Sequence, residues 1–354
     1  MGDSAGARTW GSVLSGLIAG RDADRETTAW AMREVLGGAA TPAQIAGFVV
    51  ALRAKGETVE EIAGLAETML DFATPIEVGP AAVDVVGSGG DRANTVNIST
   101  MAAIVAAGAG ATVVKHGNRA ASSACGAADV LEALGVALDV APEQQQGVVD
   151  AAGIAFLFAP LYHPALRHAA LVRRELGVAT VFNFLGPLAN PAQPGAQAVG
   201  VADARVAELM AGVLARRGHQ GLVVHGGDGL DELTTTTAST VWVHRDGEVV
   251  RTTLDPLDLG IARATPDDLV GGGPEHNAGV VRDLLAGRPG PVRDVVLLNA
   301  AAALAAYEGP DAARLDQQLA AGLDAAREAV DSGAAGRTLQ TWVEATQEAR
   351  RARA

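Results

Sequence analysis

Asp231 and Glu232 are adjacent carboxylates in His225-Gly226-Gly227-Asp228-Gly229-Leu230-Asp231-Glu232, a glycine-rich turn directly after the apolar stretch Leu222 to Val224. Oxygen donors of this kind suit a hard cation, and Mg²⁺ commonly takes one or two carboxylates together with substrate phosphate oxygens. Taken alone, an Asp-Glu pair in a loop is commonly just solvated, so its weight depends on the phrase around it. A second chemical stretch, Asp84 to Gly135, holds three turns suited to anions. Gly87-Ser88-Gly89-Gly90-Asp91 follows an apolar, strand-like run and lets the backbone approach a phosphate oxygen. Asn97-Ile98-Ser99-Thr100 precedes an apolar helical run, with Ser99 or Thr100 expected as its N-cap and free N–H groups facing outward. Lys115-His116-Gly117-Asn118-Arg119-Ala120-Ala121-Ser122-Ser123 gathers two cations, an imidazole, an amide and two hydroxyls. That mixture suits a ligand with several anionic groups and a ring to be oriented. Neither a Walker loop nor a Rossmann fingerprint is present.

The series Gly-Ser-Gly-Gly-Asp, Asn-x-Ser-Thr, Lys-His-Gly-Asn-Arg-x-x-Ser-Ser and a following Gly-x-x-Asp resembles the signatures of the anthranilate phosphoribosyltransferase family. Val-Arg-Arg-Glu-Leu-Gly at Val172 to Gly177, Thr180 to Pro191 and the phrase ending in Asp231-Glu232 extend the resemblance over nearly the whole chain. It implies transfer of a phosphoribosyl group from phosphoribosyl pyrophosphate to the amine of anthranilate, an early step toward tryptophan, with Mg²⁺ as cofactor. Gly87, Ser88, Gly89, Gly90, Asp91, Thr95, Asn97, Ser99, Thr100, Lys115, Ala121, Ser122 and Ser123 would then hold phosphates and ribose. His116 and Asn118 would lie near the acceptor, Arg173 would face the anthranilate carboxylate, and Ser99 would join Asp231 and Glu232 on the metal. Lys115, His116 and Arg173 are the expected catalytic set. A planar guanidinium can take a carboxylate by two parallel hydrogen bonds. The amine is already neutral at pH 7, so His116 is expected to position rather than to act as a strong base. Ser88 in place of Thr, Cys125 in place of Ser, and Leu166 where some relatives carry an aromatic residue leave the acceptor open between anthranilate and a related amine.

Two rivals remain on the same scaffold: a pyrimidine-nucleoside phosphorylase, for which an Asp-Glu metal pair has no clear use, and a non-catalytic nucleic-acid-binding relative. A net charge of −14 over 354 residues speaks against nucleic acid and anionic membrane as partners. The single cysteine suits a reducing cytosol, and no signal-like start or span-length apolar run is visible, so a cytoplasmic protein is expected.

The elements that must position these groups fall into two parts. From Trp10 to Ala73 the apolar spacing predicts short amphipathic helices: Asp24 caps the second, and Thr41-Pro42-Ala43-Gln44 and Thr58 to Glu61 read as capping boxes. Phe72 to Pro80 reads as a linker. Beyond it, strand-like and helical segments alternate, and a hairpin is expected at Asp246-Gly247, followed by an alanine-rich helical tail from Val292. The fold class is therefore α/β: a helical domain, residues 1–73 with a contribution from 164–190, and an α/β domain, 81–354, with a mostly parallel sheet. By resemblance, the helical domain would also form a homodimer contact.

Overall fold

The computed structural model describes residues 8–79, 81–120 and 123–353. Pro80 of the expected linker, Ala121 and Ser122 of the third anion turn, and both chain ends lie outside them. Four helices come first: α1 (Trp10–Ile18), α2 (Arg25–Leu36), α3 (Pro42–Lys55) and α4 (Val59–Asp71). Their starts are set locally. Asp24 accepts from the Thr27 amide, and Thr41 with Gln44 and Thr58 with Glu61 form reciprocal capping boxes. Glu61 does more than cap. Its carboxylate is buried, accepts from the Ala23 amide at 2.8 Å and pairs with Lys55 at 2.9 Å, which ties α4 to the turn before α2.

Strands and helices then alternate: β1 (Val83–Gly87), α5 (Ile98–Gly108), β2 (Val113–Gly117), α6 (Ala127–Ala133), α7 (Gln145–Ala152), β3 (Ile154–Phe158), α8 (Ala159–Tyr162), α9 (Arg167–Leu176), β4 (Ala196–Gly200), α10 (Ala204–Arg216) and β5 (Gln220–Gly226). The hairpin β6 (Ser239–Arg245) and β7 (Glu248–Leu254) turns at Asp246-Gly247, both at positive φ. α11 (Pro274–Leu285), α12 (Pro291–Glu308), α13 (Leu315–Asp331) and α14 (Ala334–Arg353) complete the chain. The seven strands form one sheet in the order β3-β2-β1-β4-β5-β6-β7, parallel through β5 and antiparallel at β6 and β7.

Because side chains alternate across a strand, the sheet feeds two cores. Val83, Val85, Leu222, Val224, Val241 and Val243 face α5, α12 and α13, whereas Val86, Val199, Val223 and Trp242 join α10 and the helical bundle. α9, reached by chain crossing back from β3, packs on α2 and α3, and Ala169 and Val172 enter the bundle core. Ion pairs stitch bundle to sheet layer: Arg53 to Asp203 at 2.9 Å and Arg205 to the buried Glu57 at 2.5 Å.

Two histidines under the sheet give a test of folding. His219 and His244 are pushed from 6.5 down to about 4, mainly by burial, and His244 Nδ1 meets the His219 carbonyl at 3.0 Å. Their folded pKa is depressed, so the unfolded chain binds protons first as pH falls. Their contribution is complete above pH 6.5 and is lost as pH drops toward 4. Urea midpoints measured across that interval are expected to decline, and to decline less in His244→Gln.

Candidate active site

The sheet order reverses at β1, which lies between β2 on one side and β4 on the other. A crevice opens at such a switch point beyond the carboxyl ends of the strands. Gly87 to Gly90 leave β1 there, with Gly89 and Gly90 at φ of 69° and 90°, and both are exposed. The Gly89 amide donates to Asp231 Oδ2 at 2.6 Å. This approach depends on missing side chains. A Cβ at Gly87 would fall 2.4 Å from Asp231 Oδ2, and one at Gly200, the last residue of β4, only 1.5 Å from the Asp231 carbonyl oxygen. After β5 the turn is pinned by Asp228, which accepts from the Leu230 amide at 3.1 Å, from Thr234 Oγ1 at 2.7 Å and from Thr236 Oγ1. Asn299 of α12 holds both backbone groups of Leu233.

Lys115 sits at the centre of the buried charge. Its ammonium donates to the Val85 carbonyl and to Ser99 Oγ at 3.3 Å, and only 2% of the residue is exposed. Burial pushes its pKa down, opposed by Asp84, Glu232 and Asp231. Burial raises the Asp231 carboxyl to about 7, with Asp91 adding to the rise, and raises Glu232 well above the usual range, with Asp231 adding to it. The Ser99 backbone, in the first turn of α5, and the Lys115 ammonium oppose that rise at Glu232. One buried ammonium thus faces three carboxylates. The surplus of negative oxygen donors fits a hard divalent cation held by Asp231 and Glu232. Among the described residues, no three His, Cys, Asp or Glu side chains close into a metal cage, so further ligands for such an ion would be phosphate oxygens or water.

On the other side of β2, His116 is 3% exposed. Its Nδ1 meets the Gly186 carbonyl at 3.2 Å, and a carbonyl only accepts, so Nδ1 carries the proton. Nε2 is then a lone pair, buried and without a partner. Burial, with His163 beside it, lowers the His116 pKa to about 3, so the ring is neutral. The two imidazoles meet edge to face with centroids 5.2 Å apart. Arg173, on α9, lies exposed over the Phe182 ring at 5.6 Å and makes no ion pair among the described residues. Residues 182–186 therefore connect the guanidinium to the imidazole.

A family profile described as "Glycosyl transferase family, a/b domain" matches residues 79–336, and one described as "Glycosyl transferase family, helical bundle domain" matches residues 12–73. The anthranilate phosphoribosyltransferase of Thermobifida fusca (strain YX) is 60% identical over 340 residues, covering 96% of this chain and 97% of that protein. That of Nocardioides sp. (strain ATCC BAA-499 / JS614) is 60% identical over 338 residues, 96% and 99% of the two chains. The chain belongs to the anthranilate phosphoribosyltransferases. The crystal structure of the Thermus thermophilus member is similar at a TM-score of 0.88 and 42% identity, covering 95% of this chain and 99% of that one. The Saccharomyces cerevisiae enzyme in complex with PRPP and Mg is similar at 0.85 and 27%, covering 96% and 98%.

Within this anthranilate phosphoribosyltransferase fold, the expected donor-side residues fall at and after β1 and within and after β2. Gly87 ends β1, and Ser88, Gly89, Gly90 and Asp91 follow it. Ser88 Oγ accepts from the Ala202 amide at 3.2 Å, bracing the turn on β4. Asn97, rather than Ser99 or Thr100, is the N-cap position of α5, and it makes no side-chain capping bond because that side chain is committed elsewhere: Nδ2 donates to the Cys125 carbonyl at 3.1 Å and Oδ1 accepts from Asn277 at 2.8 Å. Thr100 is buried within the first turn with its hydroxyl unpartnered, and Thr95 bridges to Val270. Lys115 and His116, expected in a loop, belong to β2, paired with Phe156 and Leu157 of β3. Asn118 and Ser123 are exposed in the segment that follows, while Ala121 and Ser122 lie outside the described residues.

Asp84 was not among the expected site residues. It is fully buried in β1, accepts from the His116 amide at 3.2 Å and from Asn190 Nδ2 at 2.8 Å, and burial lifts it to about 6. The signal was available: a carboxylate inside an otherwise apolar strand is far more informative than one in a loop.

Proposed function

We propose that the chain transfers the 5-phosphoribosyl group of phosphoribosyl pyrophosphate to the amine of anthranilate, giving N-(5-phosphoribosyl)anthranilate and pyrophosphate. The observation that carries this reading is the hydrogen bond from the Gly89 amide to Asp231, which sets a side-chain-free turn against a buried carboxylate pair. In the reaction the amine nitrogen bonds to the anomeric carbon, the bond from that carbon to the pyrophosphate oxygen breaks, and the nitrogen gives up a proton. Positive charge grows on the sugar and negative charge on the leaving group, so the barrier falls chiefly by fixed charges at the phosphates. When bound, Mg²⁺ on Asp231 and Glu232, with Ser99, supplies charge to the departing phosphates.

The chain's own groups supply the rest. Gly87, Ser88, Gly89, Gly90, Asp91, Thr95, Asn97, Thr100, Lys115, Ala121, Ser122 and Ser123 bind phosphate and ribose. His116, neutral and with its buried Nε2 lone pair unpartnered, accepts a hydrogen bond from the acceptor amine and orients it. Asn118 stands nearby, and Arg173 takes the acceptor carboxylate. The helical part, 1–73 with 164–190, forms one wall of the cleft against the 81–354 domain, and two chains pair through it. Exposed Ile18, Val50 and Leu171 on α1, α3 and α9, with α3 packed against both of the others, support that pairing. No helix among the described residues is long and apolar enough to cross a membrane, in keeping with a cytoplasmic enzyme.

The test is loss of anthranilate fluorescence on adding the protein, phosphoribosyl pyrophosphate and Mg²⁺. Consumption of anthranilate with release of pyrophosphate is the expected result. A folded chain that binds phosphoribosyl pyrophosphate yet leaves anthranilate untouched would refute the acceptor.

A further inference from the structure

The segment Gly186 to Asn190 is gripped one residue at a time by side chains from four other parts of the fold. His116 Nδ1 donates to the Gly186 carbonyl at 3.2 Å, Gln197 Nε2 to Pro187 at 3.0 Å, Arg217 Nη1 to Leu188 at 2.6 Å and His163 Nε2 to Ala189 at 2.8 Å. Asn190 closes the series, donating through Nδ2 to Asp84 Oδ2 and to the Val114 carbonyl, each at 2.8 Å. Five consecutive residues so held cannot shift by a fraction of an ångström without breaking several bonds together. The first of them is the residue that fixes the His116 tautomer.

Two of these grips are set back from the crevice. Gln197 lies within β4, 2% exposed, and Arg217 follows the last residue of α10. Arg217 is a costly choice for that place. Its Nε and Nη2 are buried without partners, and among the described residues the Leu188 carbonyl accepts the one hydrogen bond its guanidinium makes. An apolar side chain of similar length would fill the site without stranding two donors. What only the arginine supplies is the hold on Leu188.

We propose that Arg217 and Gln197 are positioning residues for the acceptor side, holding the Leu188 and Pro187 carbonyls so that Gly186 stays aimed at His116 and the Nε2 lone pair of that ring stays unpartnered for the amine. The inference rests on the transfer reaction proposed above. It assigns these residues no contact with substrate, so their removal acts through geometry.

Arg217→Met, Gln197→Leu and Arg217→Lys test it, read by KM for each substrate, kcat, Tm and the ¹⁵N shifts of His116. Displacing an oriented group by a fraction of an ångström costs about tenfold to a hundredfold, so the anthranilate KM is expected to rise, or kcat to fall, by that much in Arg217→Met. The KM for phosphoribosyl pyrophosphate is expected to stay within about twofold, since the donor side is untouched. Arg217→Lys keeps one donor and is expected to recover most of the loss. His116 is expected to show one tautomer, protonated at Nδ1, in the native chain and a mixture in Arg217→Met. Equal effects on both substrates with a lowered Tm and no recovery by lysine would overturn the proposal, as would unchanged kinetics in folded variants. Should Arg217→Met fail to fold, Gln197→Leu and Arg217→Lys carry the same comparison. If the native chain does not consume anthranilate, the reaction has failed, while the His116 spectra still decide the clamp: an unchanged tautomer in the variants would refute it.

Discussion

Glu232→Gln is expected to abolish most turnover and, at the same time, to raise the melting temperature of the metal-free protein. Asp231 and Glu232 are adjacent and buried, with Asp91 near enough to raise both, and a single ammonium, Lys115, offsets them. Like charges crowded out of water are a standing cost to the folded state. An amide of the same shape removes one charge and relieves part of that cost. It also removes the ligand proposed for the cation and part of the field that would act on the departing pyrophosphate. Loss of one such electrostatic element lowers kcat by about 10²–10³-fold. Steady-state assays over a Mg²⁺ series, beside calorimetry without Mg²⁺, check both halves. A variant that is inactive and also less stable would show that Glu232 is held by contacts rather than stored against repulsion.

Gly200→Ala is expected to be among the most damaging single methyl additions this chain can receive. Its Cβ would lie 1.5 Å from the carbonyl oxygen of Asp231 and 2.3 Å from the carbonyl carbon, both backbone atoms that cannot swing away. Relief requires β4 or the turn after β5 to move: the first strains the hydrogen bond from the Ser88 amide to the Gly200 carbonyl at 2.9 Å, the second that from the Gly89 amide to Asp231 at 2.6 Å. The cost is expected to be roughly 3 kcal/mol or more, at the upper end of overpacking effects. Gly147→Ala is the control: this helical glycine has open space where a Cβ would stand, and alanine favours the helix by about 0.5–1 kcal/mol. Chemical denaturation of the pair reads the difference. Near-native stability in Gly200→Ala would mean that the turn carrying Asp231 yields easily.

Much of this was legible because it is local. Asp24, Thr41 and Thr58 cap helices as their spacing suggests, since a cap involves only the next three residues. Alternation of apolar runs with glycine turns gave the parallel sheet and the hairpin at Asp246-Gly247. Lys115 and His116 misled for the opposite reason. Two polar residues after a short apolar run look like a loop, yet both lie in β2, because their partners Val85, Ser99, Asp84 and Gly186 come from distant parts of the chain. The same holds for Asn97, which looks no more cap-like than Ser99 until Cys125 and Asn277 are placed against it. Asp84, Asn190 and Arg217 carry no motif that states their partners; only the folded order of strands does.

Cys125 gives the chain a clock. It is the only thiol in 354 residues, and it is 6% exposed. Burial, and the carboxylate of Asp129, raise it to about 11, while Asn97 fastens its carbonyl. Thiolate is the reactive form, so alkylation at neutral pH is expected only from molecules in which Cys125 has become exposed. The pace at which a thiol reagent is consumed therefore counts exposures of this one side chain, without any added label.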